Sequence, residues 1–355
     1  MPDWSRRGFL VRAGGLAVVA AGAGFVGRTM LDRQRRATTQ AATTLKPPSK
    51  LASIPAGAQL PVDGISPLVV PNNQFYRIDT SLLTPSVSLD GWMLRIHGMV
   101  DREVELTFAE LAALPMFEQY VTIACVSNEV GGGLVGNAKW TGVHLREVLS
   151  MAGVQSGATQ LVGRSVDGWT AGMPVEWVMD PSREPMIALE MNDEPLPAAH
   201  GFPARLIVPG LFGYVSATKW LTELQLTTWE AFDAFWIPRG WAKKGPILTQ
   251  SRIDVPAARQ VTAGQVAVAG VAWAPDRGVS RVEVGIDGEW HDATLGAAIS
   301  KATWLQWSYA WNATQGDHLI QVRATDGNGE LQTEQPSPPP PDGARGWHTV
   351  RVSVA

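Results

Sequence analysis

Cys125, the single cysteine of the chain, is the residue best suited to chemistry. It ends a short β-branched run at 119–124 and precedes a polar, glycine-rich stretch at 126–133. Three adjacent glycines let the backbone approach a ligand closely, and a soft thiolate suits a soft or high-valent metal. A lone cysteine is equally often a small buried hydrophobe. Taken alone, the segment leaves a ligand or nucleophile and a packing residue evenly balanced.

Further polar motifs follow Cys125 in a fixed order. They occupy residues 140–145 (WTGVHL), 188–197 (ALEMNDEPLP), 200–210 (HGFPARLIVPG) and the pair Lys219-Trp220. With the Cys-Val-Ser-Asn segment that begins at Cys125, this order and spacing resembles the sulfite oxidase family of molybdopterin enzymes. The resemblance covers roughly residues 65–355.

The resemblance implies a role for each matching residue. Cys125 would be the single protein ligand to molybdenum, with the pterin dithiolene supplying the other sulfurs, and Arg77 would lie near the metal. The residues implied to hold the molybdopterin are Phe75, Tyr76, Asp167, His200, Arg205 and Lys219. The fork of an arginine is suited to phosphate. The implied reaction is oxygen-atom transfer on a small oxo substrate.

The residues around the implied metal differ from those of animal and plant sulfite oxidases. Those enzymes follow their cysteine with basic residues, whereas here Val126 to Glu129 are neutral and acidic. Asp79 stands near the place of a family histidine, and Trp241 near that of a substrate-pocket tyrosine. Arg77 remains, and Arg239 is a candidate for added positive charge. An anionic substrate needs positive charge, so reduction of an S-oxide competes with sulfite oxidation.

The elements that must position these residues are short. A capping box, Thr107 with Glu110, predicts a helix at 107–114, and apolar spacing predicts another at 142–152. Residues 205–210 are interpreted as a buried strand ended by Pro-Gly. We therefore predict an α+β molybdopterin-binding domain at 65–250, with functional loops on short strands.

The region at 251–355 has a different pattern. Five β-rich segments are separated by turn signals, among them Asp287-Gly288 and the Asp-Gly-Asn-Gly run at 326–329. This spacing predicts a β-sandwich of immunoglobulin type. The family resemblance implies that it is a dimerisation domain, and hence a homodimer.

The first 36 residues are interpreted as an export signal or membrane anchor. Residues 5–10 (SRRGFL) fit the twin-arginine pattern, and an apolar run at 13–26 follows. Four arginines come after that run, which opposes ordinary translocation. Residues 37–64, rich in Thr, Ala and Pro, are predicted to be a linker. The expected location is outside the cytoplasm, with membrane anchoring as an option.

Composition excludes several classes of protein. The 355 residues are 45% hydrophobic and carry a net charge of −4, which argues against nucleic-acid binding. One cysteine excludes an intramolecular disulfide and a cysteine-rich zinc site. No haem-binding pattern is visible, so the expected electron partner is a separate cytochrome or membrane redox protein. Two alternatives stay open: a non-enzymatic exported binding protein, and a Cys-His hydrolase using His200.

Overall fold

The computed structural model describes residues 28–29 and 32–355. The predicted twin-arginine motif and the apolar run at 13–26 lie outside these residues. Within the described ranges, no helix combines the length and the apolar character that crossing a membrane requires.

The segment predicted as a linker is instead ordered and packed. Residues 32–44 form helix α1, and Ala37 and Ala41 on one face of it are buried in the main core. Further on, the Ser49 N–H donates to the Met116 carbonyl at 2.8 Å, and Ala58 is buried. The linker prediction at 37–64 therefore does not hold for residues 37–44, which are helical. Small alanines spaced four residues apart form a packing face, which a composition argument does not detect.

Two five-stranded sheets build the region that carries the predicted cofactor residues. One has the strand order β2-β1-β10-β5-β6, and the other has β3-β4-β7-β8 with β9 also paired to β7. The strands are β1 Met93–Gly98, β2 Val104–Thr107, β3 Met116–Ala124, β4 Val135–His144, β5 Gln160–Ser165, β6 Thr170–Pro174, β7 Met186–Met191, β8 Glu194–Pro195, β9 Arg205–Ile207 and β10 Leu221–Thr227. The short helices are α2 Phe108–Ala113, α3 Leu145–Ala152, α4 Val175–Met179 and α5 Gly213–Ser216, with 3₁₀ turns at Ala198–His200 and Ile237–Arg239.

Local predictions in this region are confirmed with shifts of boundary, one of which shortens the strand predicted at 205–210 to Arg205–Ile207. The capping box of α2 is present, since the Thr107 hydroxyl accepts from the Glu110 N–H and the Glu110 carboxylate accepts from the Thr107 N–H. Helix α3 begins at Leu145 rather than at 142, because residues 142–144 continue β4. Gly142 pairs with Ala188 of β7, and a Cβ on Gly142 would overlap the Ile187 carbonyl. That close approach explains a glycine at this position.

Two further sheets form the predicted β-sandwich. Their strand orders are β11-β13-β17-β16 and β12-β19-β18-β14-β15, and they enclose a core that includes Val268, Val284, Trp307 and Ile320. The strands are β11 Gln250–Val255, β12 Gln260–Val261, β13 Gly264–Trp273, β14 Val279–Ile286, β15 Glu289–Asp292, β16 Thr294–Leu295, β17 Leu305–Ala313, β18 Gly316–Asp326 and β19 His348–Val354. The turn signal at 287–288 joins β14 to β15.

The two regions share part of their apolar interior. Val271, Trp273 and Trp304 of the sandwich belong to the same buried cluster as the residues of the first two sheets. The Trp304 indole N–H donates to the Leu68 carbonyl at 2.9 Å. The sandwich therefore packs directly against the region that precedes it.

Candidate functional site

An open cleft brings together most of the predicted site residues. Its wall is built by the end of β3, the β5–β6 turn, helix α5 and the segment around residue 76. Seven of the eight predicted residues line it: Phe75, Tyr76, Cys125, Asp167, His200, Arg205 and Lys219. Residues separated by up to 144 positions in the chain thus meet at one place.

Cys125 stands directly after β3, on the wall of this cleft. Its side chain is 9% exposed, and its N–H donates to the Leu134 carbonyl at 2.9 Å, which ties the start of the glycine-rich loop to its end. Burial raises the pKa of the thiol, and hydrogen bonds from the N–H and hydroxyl of Ser127 only partly oppose that rise. Cys125 thus lines the cleft, and hydrogen bonds hold its own backbone and the loop that follows it.

Arg205 is a buried cation whose hydrogen-bonding capacity is only partly used. It is 4% exposed and donates from Nη1 to the His200 carbonyl at 2.9 Å. Its guanidinium lies 5.0 Å from the centre of the Trp140 ring. Its Nε has no partner among the described residues. Burial lowers the pKa of Arg205 to about 10, so it stays charged at neutral pH and has a donor left for an anion.

His200 is held neutral beside Arg205. It ends the 3₁₀ turn Ala198–His200, and its Nε2 lies 2.7 Å from the Asn72 carbonyl oxygen. Since a carbonyl only accepts, Nε2 carries the proton. Burial lowers the pKa of His200 to about 4. Its ring therefore contributes a fixed dipole to the cleft and no charge.

Asp79 joins two cations at the cleft. Its Oδ2 accepts from Lys219 Nζ and from Arg77 Nε, each at 2.8 Å. Burial alone would raise the pKa of Asp79, but these hydrogen bonds outweigh it and hold the pKa below 3.8. Burial lowers the pKa of Lys219 to about 8 even with Asp79 beside it. The charge of Lys219 is therefore largely neutralised locally.

Two arginines considered for the site are not brought into the cleft wall. Arg77, whose side chain is 41% exposed, is directed to Asp79, and it is absent from the described residues that line the cleft. Arg239 lies over the Phe235 ring at 3.7 Å and donates to the carbonyl of the same residue. Neither arginine is among the described residues that line the cleft.

Several aromatic residues line the cleft that sequence reasoning did not assign to it. Trp236 and Tyr214 flank Trp241, with ring centres 6.4 Å and 5.9 Å away, and Trp169 and Trp220 also contribute. Only Trp241 was placed near the substrate. The 15 tryptophans of the chain were a general signal, and Trp220 stands in the Lys219-Trp220 motif, but the other aromatic residues lie on separate elements and share no spacing.

The cleft holds few groups able to bind a metal by themselves. Among residues 28–29 and 32–355, no group of three or more His, Cys, Asp or Glu side chains is arranged to hold a metal ion. A metal bound at Cys125 would therefore take its remaining ligands from a cofactor or from solvent.

Comparison with known proteins places the chain among molybdopterin-binding proteins. A family model described as "Oxidoreductase molybdopterin binding domain" matches residues 81–236. The uncharacterized oxidoreductase YuiH of Bacillus subtilis is 32% identical over 154 residues, which are 43% of this chain and 74% of YuiH. The crystal structure of the sulfane dehydrogenase SoxCD from Paracoccus pantotrophus superposes with a TM-score of 0.71 at 22% identity, over 88% of this chain and 89% of that one.

Mitochondrial sulfite oxidases match a longer part of the chain. The Drosophila melanogaster protein is 29% identical over 341 residues, and the human protein 26% over 356, covering 88% and 85% of this chain. The chain spans only 55% and 65% of the length of these two relatives. The chain belongs to the sulfite oxidase family of molybdopterin oxidoreductases.

Proposed function

We propose that the chain is a molybdopterin-dependent oxidoreductase that transfers an oxygen atom to or from a small oxo substrate. The observation that carries this proposal is a juxtaposition in one cleft. The single thiol, Cys125, stands on the wall of the cleft that also holds Arg205, a buried cation with an unpartnered Nε.

The side chains of the cleft fit the cofactor of the family. One thiolate is available as a metal ligand, and the Nε of Arg205, which has no partner among the described residues, suits an anionic phosphate. The neutral His200 ring and the flat rings of Phe75 and Tyr76 suit a pterin. When bound, the cofactor supplies two-electron redox chemistry coupled to transfer of an oxygen atom. The protein's own part is to hold the cofactor, to orient the substrate and to limit access of water.

The charges around Cys125 favour an uncharged substrate. The basic side chains among the described residues of the cleft are His200, Arg205 and Lys219. His200 is neutral, Lys219 is paired with Asp79, and Arg205 is assigned to the cofactor. Since no basic side chain among the described residues that line the cleft is left for an anion, we propose an apolar S-oxide or a similar neutral oxo compound in preference to sulfite.

The aromatic part of the cleft supports the same substrate class. Ile78, Trp169, Trp236 and Trp241 contribute apolar surface to it. Such surface binds the carbon substituents of a neutral S-oxide by excluding water, and it offers no compensation for a desolvated anion.

Metal analysis combined with Cys125→Ser tests the function. Purified wild-type protein from a host that makes the cofactor should hold molybdenum and pterin in about equal molar amount to the chain. In Cys125→Ser we expect turnover to fall by more than the roughly 100-fold that loss of a supporting partner causes. The melting temperature should hardly change. A wild-type protein without molybdenum, or a fully active serine variant, would exclude the proposal and favour a non-enzymatic binding protein.

Asp79→Asn tests the substrate class. Wild-type protein should reduce dimethyl sulfoxide with a dye donor and oxidise sulfite poorly with a dye acceptor. Removing the carboxylate takes one negative charge from the cleft, which we expect to lower KM for sulfite about fivefold, or roughly 1 kcal/mol. A KM for sulfite that is already low in wild type and unchanged in the variant would contradict a neutral substrate.

We also propose that the protein works outside the cytoplasm with a separate cytochrome or membrane redox partner. The residues at 5–10 and 13–26 support export, and the sandwich, which we assign to the immunoglobulin type, supports a homodimer. Cell fractionation tests the location, and sedimentation of the purified protein tests the dimer.

A further inference from the structure

The loop that follows Cys125 is closed on itself by four hydrogen bonds. The Cys125 N–H donates to the Leu134 carbonyl at 2.9 Å, and the Asn128 N–H donates back to the Cys125 carbonyl at 3.1 Å. Asn128 Oδ1 accepts from the Leu134 N–H at 2.7 Å, and Gly132 donates to the Glu129 carbonyl at 2.9 Å. These bonds fix the shape of the loop, but they do not fix its place relative to the cleft.

Arg252, on strand β11 of the sandwich, binds this loop from outside. Its Nη1 donates to the Gly132 carbonyl at 2.8 Å. Its Nε donates to Asp254 Oδ1 and its Nη2 to Ser66 Oγ, each at 2.7 Å. The guanidinium of Arg252 thus donates in three directions, and these three hydrogen bonds together fix its position.

His348, the first residue of β19, supports the loop next to that contact. Its Nδ1 accepts from the Ile253 N–H at 2.9 Å, which orients the ring. Gly131 lies against this ring with φ of +76°, and a Cβ at this position would overlap it. The loop therefore has a glycine where the imidazole packs directly on the backbone.

Strand β3 is held from the sandwich as well. The Thr122 N–H donates to the Ala302 carbonyl at 2.9 Å, and Thr122 Oγ1 accepts from the Trp304 N–H at 2.7 Å. Cys125 thus lies between two points of attachment, Thr122 before it and Gly131–Gly132 after it. Both are made to residues of the sandwich and its loops.

We propose that Arg252 and His348 are positioning residues that hold the Cys125 loop in register with the cofactor cleft. The proposal rests on the proposed function, in which Cys125 ligates the metal. It gives the sandwich a part in the metal site that is separate from any association between chains. Partners of this kind orient a metal ligand without touching the metal.

Arg252→Lys is the direct test. A lysine ammonium on its flexible chain does not reproduce three planar donors, so the loop loses its bond at Gly132 or the support from Ser66 and Asp254. We expect kcat to fall roughly tenfold with KM unchanged. We also expect a shifted or broadened electron paramagnetic resonance signal from the molybdenum of partly reduced holoprotein. Arg323→Lys is the matched control, because Arg323 is a sandwich arginine whose contacts are Glu283, Trp290 and Trp347.

A second readout does not need loaded enzyme. Cys125 is the only cysteine of the full chain, so alkylation by a maleimide at fixed pH reports on this loop alone. In cofactor-free full-length protein we expect Arg252→Lys and His348→Ala to speed alkylation about fivefold or more, because they ease local opening. Arg323→Lys should leave the rate unchanged.

A double-mutant cycle isolates the steric contact. Gly131→Ala should displace the loop and speed alkylation, and the double variant with His348→Ala should be alkylated more slowly than the two single effects combined would predict, because removing the ring makes room for the new methyl group. Neither substitution changes Arg252, so the cycle still tests whether His348 positions the loop if an arginine variant folds poorly.

Three results would overturn the proposal: unchanged alkylation rates in the Arg252 and His348 variants, a resonance signal equal to that of wild type, or strict additivity in the cycle. Absence of molybdenum from the wild-type protein would contradict the proposed function alone, since alkylation still measures whether the two residues hold the loop.

Discussion

The buried basic side chains of the cleft and the buried carboxylates of the β-sandwich are paired to different degrees. In the sandwich, Asp326 is 1% exposed and accepts from Arg277 Nε at 2.7 Å, with further bonds from the N–H groups of Asn328 and Glu330. Glu283 accepts from two nitrogens of Arg323 at 3.0 and 3.1 Å. Each of these carboxylates is matched by donors from its own surroundings.

In the cleft, burial disfavours the charged forms of three basic side chains. It lowers the pKa of Arg205, His200 and Lys219 to about 10, 4 and 8, and the Nε of Arg205 has no partner in the described part of the chain. Arg205 thus keeps a charge that is unfavourable for folding, at a position where a ligand is expected to bind. His348 fits this division, because burial lowers its pKa too and it is one of two sandwich residues, with Arg252, that contact the Cys125 loop.

Arg205→Met should give the largest effect and the sharpest contrast. Cofactor content is expected to fall tenfold or more, since the cation facing the cofactor is lost. The free energy of unfolding of cofactor-free protein should stay the same or rise by about 1–2 kcal/mol, because an incompletely paired buried charge is replaced by apolar volume. Molybdenum analysis and urea unfolding measure the two quantities. A loss of stability of about 3 kcal/mol would show that Arg205 is paired like the sandwich arginines.

Asp326→Asn should do the reverse, lowering the free energy of unfolding by roughly 1.5–3 kcal/mol without changing cofactor content. Burial alone would raise the pKa of Asp326, but the hydrogen bonds from Arg277 and the backbone outweigh it and hold the pKa below 3.8. A depressed pKa in the folded state means that the carboxylate stabilises the fold above its unfolded-state pKa, and that this stability is lost as pH falls through the folded-state value.

The measurement for Asp326 is therefore urea unfolding at a series of pH values. The difference in free energy of unfolding between wild type and variant should have its full size at pH 7 and should shrink below about pH 4. A gap that is constant down to pH 2 would mean that the loss comes from packing and not from charge.

Arg77→Gln should give the smallest effect. The family resemblance assigns this residue a place near the metal, but its half-exposed guanidinium is bonded to Asp79, which keeps Lys219 as a partner. We expect kcat/KM to fall fivefold or less, in line with the roughly 1 kcal/mol of an exposed ion pair. Steady-state kinetics on the best substrate decides, and a loss above 100-fold would restore the role that the resemblance implies.

The site was largely predictable because its residues sit in ordered motifs. Cys125, His200, Arg205 and Lys219 come from three separate motifs, and the family resemblance of those motifs, taken in order, predicted that they share a cleft. The place of the Arg77 side chain could not be predicted in this way, because its ion pair with Asp79 sets its direction. The boundary of α3 was missed for a similar reason: apolar spacing at 142–144 fits a helix, while pairing with β7 requires a strand.

The burial of Trp304 within the core of the cofactor region has a consequence for unfolding. If the sandwich unfolded alone, Trp304 would be withdrawn from the core of the cofactor region and that core would be exposed to water. The two regions should therefore unfold as one cooperative unit, with a single calorimetric transition. Binding energy gained in the cleft would then protect the far strands of the sandwich as well. A chain that ends at residue 250 would lack the sandwich and also Trp304, so the hydrophobic core of the cofactor region would be left open to solvent.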